Sequence, residues 1–147
     1  MHKMKPDIEA LSSSILAYAM ERLRMDPPTI DHALPQTTLQ ELAGQTITEE
    51  GLSGGEALKL FVDTLGPACI SQDHPRYLSF VPSAPSEVST LFDLVVGASN
   101  ICASSWLEGA GAIYAENQAL RWISDIAGLP AEAGGGFVSG GTAGDTS

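Results

Sequence analysis

Gly134-Gly135-Gly136-Phe137-Val138-Ser139-Gly140-Gly141-Thr142-Ala143-Gly144 joins a glycine run, a short apolar pair and a second glycine-rich turn that carries hydroxyl residues. Glycine has no Cβ, so such a turn can crowd several backbone N–H groups together. A helix starting near Thr142 would aim its unpaired N–H groups and its positive dipole end at the same point, which is the composition of a phosphate site. The letters are neither GxGxxG nor GxxxxGK[ST], so the dinucleotide and P-loop readings fail. Taken by itself the stretch is first of all a structural turn. Phe137-Val138 is the one good strand candidate. An isolated strand is not stable, so this one is expected to join a sheet whose other strands come from elsewhere. A phosphate turn and an unpartnered strand so close to Ser147 set the expectation that the 147 residues are part of something larger.

Upstream, the pattern is helical. Ala115, Ala119, Trp122, Ile123 and Ile126 recur at helical spacing, and Gly128-Leu129-Pro130 ends that helix. A polar, small-residue break over 103–112, containing Trp106, precedes it. Before the break, Pro85 is expected to open a long helix over 85–101 carrying Val88, Leu91, Phe92, Val95 and Val96. Its apolar residues occupy most of the circumference, so it should be buried against more than one partner. Residues 71–83 mix aromatics with prolines and read as an ordered loop. Ser53-Gly54-Gly55-Glu56 fits a capping box, starting a helix through Leu58, Phe61, Val62 and Leu65 that ends at Gly66-Pro67. Thr38-Leu39-Gln40-Glu41 fits another, before a short helix ended by Gly44. Residues 26–36 hold Pro27, Pro28 and Pro35 and form an extended connector. The first helix opens at Pro6 with Asp7 and Glu9 in its first turn, and carries Ile8, Leu11, Ile15, Tyr18, Ala19 and Leu23 on one stripe.

Composition narrows the function classes. The chain is 44% hydrophobic, enough for one domain with a core. Seven Lys and Arg stand against 18 Asp and Glu, a formal charge of −11 and a pI near 4.4. Nucleic acid and anionic membrane surfaces call for clustered Lys and Arg, so neither is an expected partner. The longest strongly apolar stretch, 94–107, falls short of the ~20 residues that span a bilayer. No signal-peptide core follows the charged N-terminus, so a soluble cytoplasmic protein is expected. Cys69 and Cys102 form no CxxC and are expected to be buried free thiols. His2, His32 and His74 share no metal-ligand spacing, and no metal site is expected. Ser139 is not in a GxSxG elbow, and no Ser-His-Asp or Cys-His grouping is legible.

Three features in order and spacing resemble one family, the pyridoxal-phosphate-dependent group II amino-acid decarboxylases. His74-Pro75-Arg76-Tyr77 followed by Phe80-Val81-Pro82-Ser83 is similar to that family's HPRF…(Y/F)xP(T/S) loop. Ser105-Trp106 through Glu116 to Trp122 and Gly128-Leu129-Pro130 is similar to its SW…E…W…LP helix. Residues 136–143 are similar to its GVFTSGGTEAN turn. The resemblance covers residues 54–144, and over 1–53 the helix-connector-helix plan looks like the family's segment that wraps the partner subunit.

The resemblance implies the α/β fold of aspartate aminotransferase, fold type I, of which this mostly α chain would be the N-terminal part. Residues 1–72 would be the dimer-wrapping helical segment and 73–147 the start of the large cofactor domain. It implies pyridoxal 5'-phosphate as cofactor, with Gly141, Thr142, Gly140 and Ser139 at its phosphate. It implies Phe80, Val81, Pro82 and Ser83 in a loop lining the pocket for a small amino-acid substrate. Ser104 matches a pocket position that is aromatic in the aromatic-acid enzymes, which points away from an aromatic substrate. The family continues with asparagine where this chain has Asp145. The lysine that holds the cofactor covalently, the aspartate at its ring nitrogen and the histidine stacked on it would all lie further on, so no catalytic residue is expected here. The implied protein is an L-amino-acid decarboxylase, a lyase, working as a homodimer or with a second chain that carries the remainder, and residues 1–147 alone are expected to be inactive. The alternative is a non-catalytic helical association module derived from such an enzyme.

Overall fold

The computed structural model describes residues 6–30, 32–81 and 85–145, and their regular structure is helical throughout, with no strand among them. Contacts cluster into two units, Met1–Ser89 and Thr90–Ser147.

In the first unit, α1 runs over Pro6–Leu23 with Asp7 and Glu9 in the first turn and Arg22 in the last, complementing the helix dipole at both ends. Three adjacent serines inside it are satisfied by back-bonding: the hydroxyls of Ser12, Ser13 and Ser14 donate to the carbonyls of Ile8, Glu9 and Ala10 at 2.7, 3.1 and 3.1 Å. α2 spans Gln36–Ala43 and closes on Gly44 at φ 65°. The capping box expected at Thr38 and Glu41 does not form, and Thr38 lies inside the helix. The Pro35 carbonyl already accepts the Leu39 N–H at 3.1 Å, so the ladder starts earlier, where proline loses no donor that a helix would use.

α3 spans Gly54–Leu60 with the expected capping box at its start: the Glu56 N–H donates to Ser53 Oγ at 3.3 Å and the Ser53 N–H donates to Glu56 Oε2 at 2.9 Å. The helix widens into a π-turn over Phe61–Leu65, closed by the Gly66 N–H on the Phe61 carbonyl at 2.7 Å. α1 lies against α3 where Gly54 has no side chain, since a Cβ there would sit 2.3 Å from Leu11 Cδ2. One step on, Tyr18 meets Phe61 edge-to-face at 6.0 Å and 87°, a pairing worth about 0.5–1.5 kcal/mol beyond its area.

In the chain after the 71–81 loop, α4 covers Glu87–Ser99 and ends in Asn100 at φ 49°. It starts two residues later than the Pro85 opening expected, because Ser86 Oγ takes the Ser89 N–H at 3.2 Å and serves as the cap. In the second unit, α5 covers Trp106–Ile126. The break expected over 103–112 is therefore mostly helix, interrupted at Gly109 (φ −132°, ψ 34°). That glycine is required by packing, for a Cβ would fall 2.5 Å from the Cys102 carbonyl oxygen and 2.8 Å from Ala103 Cα. α5 ends as expected at Gly128 (φ 70°), in a Schellman arrangement: Leu129 N–H to Ser124 O at 2.9 Å and Gly128 N–H to Asp125 O at 3.1 Å. α6 is a single turn, Gly141–Gly144.

The expected strand at Phe137-Val138 is absent, and both side chains are exposed. A strand is defined by its ladder, and no partner strand exists among the described residues. Nor is there an apolar core among the described residues, of which only Pro28, Gly109 and Ser124 are buried. The accessible area is 12022 Å², whereas two separate folded units totalling this mass would expose about 8,700 Å². The expected burial of α4 is not met within the chain: Val88, Leu91, Phe92, Leu94, Val95 and Val96 are between 41% and 64% exposed. Cys69 and Cys102 are free as expected but exposed rather than buried, for the same reason.

Candidate functional site

The loop after α3 is tied down by short-range bonds. The Ser71 carbonyl accepts the His74 N–H at 3.2 Å, and the His74 carbonyl accepts the Tyr77 N–H at 2.8 Å. The Arg76 N–H donates to His74 Nδ1 at 3.0 Å, so that nitrogen is the acceptor and the neutral ring carries its proton on Nε2. Pro75 follows His74 directly and contributes no N–H of its own, which suits a tight turn. The loop is fastened to the end of α1 by Arg22, whose guanidinium donates to Asp73 Oδ1 at 2.7 Å with both side chains about a third exposed. The Arg22 hydrogen bond holds the Asp73 carboxyl below its ordinary value, against a smaller opposing effect of burial.

Beyond Tyr77 the loop turns outward. Phe80 stands at φ 59°, a left-handed conformation that costs an L-residue about 1–2 kcal/mol. Its side chain and that of Val81 are almost wholly exposed, at 86% and 98%. Pro82 and Ser83 lie outside the described residues. Phe80 and Val81 belong to the Met1–Ser89 unit, while Ser104 and the 139–142 turn belong to the Thr90–Ser147 unit.

In the second unit two local arrangements stand out. At the start of α5, the hydroxyls of Ser104 and Ser105 both donate to Glu108 Oε2, at 2.9 and 2.8 Å. These bonds, Ser105 first and Ser104 second, hold the Glu108 carboxyl below its ordinary value. Cys102 Sγ lies 3.2 Å from Ser104 Oγ. At the other end of α5, Arg121 holds the following turn. Its Nη1 donates to the carbonyls of Pro130 and Ala131 at 3.1 and 2.8 Å, and Nε and Nη2 reach Asp125 Oδ1 at 3.0 and 2.7 Å. The glycine run leaves from this fixed turn and passes Leu120, whose Cδ2 is 3.6 Å from where a Gly135 Cβ would be.

Ser139 and Gly140 form the bend, and Gly141 and Thr142 begin α6. The Gly140 carbonyl accepts the N–H groups of Ala143 and Gly144 at 3.1 and 3.2 Å, and the Gly141 carbonyl accepts that of Asp145 at 2.8 Å. Gly140 is extended at φ 169°, which any residue adopts, and Gly141 is not in the left-handed region. A Cβ on either would meet nothing within 4 Å. Neither glycine is therefore demanded by this chain's own backbone or packing, in contrast to Gly109.

Sequence reading missed Glu108, Arg121, Gly109 and the Arg22–Asp73 pair. The first two had a local signal, the S-x-x-E spacing of Ser105 to Glu108 and the i,i+4 spacing of Arg121 to Asp125. The last two had none, because each is set by a contact distant along the chain or by a close backbone approach. Among the described residues no group of three or more His, Cys, Asp or Glu comes together, and no helix is long and apolar enough to cross a membrane.

No family model matches the chain, and no solved structure matches it. Among curated proteins it is similar to an aromatic-L-amino-acid decarboxylase of Bacillus atrophaeus, 28% identical over 123 residues. The match takes in 84% of this chain and 25% of that protein, so the chain spans about a quarter of the relative's length. The similarity is distant and points to a decarboxylase-related origin.

Proposed function

We propose that the chain is the N-terminal portion of a pyridoxal-phosphate-dependent L-amino-acid decarboxylase, a lyase that releases carbon dioxide and an amine. The observation that carries this reading is the 139–142 turn, where two successive glycines face open space although neither the backbone nor the packing of the chain calls for glycine. Glycine at such positions admits close approach of a group from outside the chain. The distant similarity to a decarboxylase over 84% of the chain supports pyridoxal 5'-phosphate as that group.

The residues present fit the phosphate end of pyridoxal 5'-phosphate. Backbone at Gly140 and Gly141 and the hydroxyls of Ser139 and Thr142 would hold it, with the Arg121-fastened turn fixing where the glycine run starts. When bound, the cofactor withdraws electrons from the Cα–carboxylate bond, so that carbon dioxide can leave. The residues for the other end do not lie in the described chain. Lys59 is ion-paired to Asp63 on its own helix, and Lys3 and Lys5 fall outside the described residues. A lysine-bearing remainder is thus part of the proposal, with residues 1–72 as the wrapping segment and 73–147 as the start of the cofactor domain. By the resemblance, Phe80, Val81, Pro82 and Ser83 would be substrate-loop residues, and Ser104, in the other unit, would be a separate substrate-contacting position. The strained, outward Phe80 suits a loop that finds its contacts on another surface.

A second reading has its own support. The exposed apolar circumference of α4 suits a non-catalytic module that pairs through this helix. Light scattering of residues 1–147 separates the two: a stable dimer without cofactor or remainder favours the module.

The test of the first reading is the affinity of the full-length polypeptide for pyridoxal 5'-phosphate. Gly141→Val should weaken it by roughly a hundredfold and Thr142→Ala by about tenfold, the latter being the loss of a charge-assisted hydrogen bond. Unchanged affinity in both variants would refute the assignment of the turn.

A further inference from the structure

We draw no further inference here: the strongest candidate, the uncovered apolar face of α4 that carries Phe92, Val95 and Val96, is more than half exposed, and nothing in the structure shows what covers it.

Discussion

α3 and α4 are both short helices, yet they stand in opposite situations. α3 is secured by its neighbours in sequence and by α1: Ser53 and Glu56 cap it reciprocally, Leu11 fills the space over Gly54, and Tyr18 meets Phe61 at its end. α4 is the more apolar of the two, and its Phe92, Val95 and Val96 remain more than half exposed. Local letters decide whether a helix forms and where it starts. They do not decide what covers it. On the proposed reading, α4 waits for polypeptide that α3 does not need.

The sharpest way to break this contrast is to charge the uncovered helix. Val95→Asp should weaken self-association or docking of the remainder by at least a hundredfold, since a buried valine contributes roughly 1.5–3 kcal/mol and an unpaired carboxylate costs several more. Sedimentation of the full-length polypeptide reads the effect, and helicity of residues 1–147 alone should not change. An equal effect on the isolated chain would show that α4 is already packed there.

The two close-approach glycines give the next contrast. Gly109→Ala puts a methyl group 2.5 Å from a backbone oxygen, which cannot yield cheaply, and should cost about 1–3 kcal/mol and fray the start of α5. Gly54→Ala meets only the flexible end of Leu11, and a gain in helix propensity of about 1 kcal/mol offsets the displacement. Thermal unfolding followed by circular dichroism should therefore show a clear loss for the first and almost none for the second. A smaller loss is expected for Ser53→Ala, about 1 kcal/mol, read as faster amide exchange at Glu56.

The smallest effect concerns the Arg22–Asp73 tie. The folded Asp73 carboxyl titrates below its unfolded value of 3.8, so its contribution is complete above that pH and is lost as pH falls through the lower folded value. With both side chains about a third exposed, solvent screening limits it to roughly 0.2–1 kcal/mol. Asp73→Asn should remove that acid-side dependence and leave neutral-pH helicity unchanged.

What could be read from the letters follows the same division. The start of α1 at Pro6, the Ser53–Glu56 box, the Gly44 and Gly128 stops and the loop character of 71–81 were legible because each is decided within a few residues. The Thr38 box failed because Pro35 offered an earlier start to the same ladder. The strand at Phe137-Val138 and the burial of α4, Cys69 and Cys102 depend on surfaces other than their own, and no periodicity in one chain supplies those. The 139–142 turn was recognisable as a glycine-rich turn, but the letters did not show that nothing within 4 Å crowds Gly140 or Gly141.

The most direct test of the account is carbon dioxide release from L-amino acids with added pyridoxal 5'-phosphate, run side by side on residues 1–147 and on the full-length polypeptide. The account predicts release from the full-length polypeptide only. Release by residues 1–147 alone, or by neither, would contradict it.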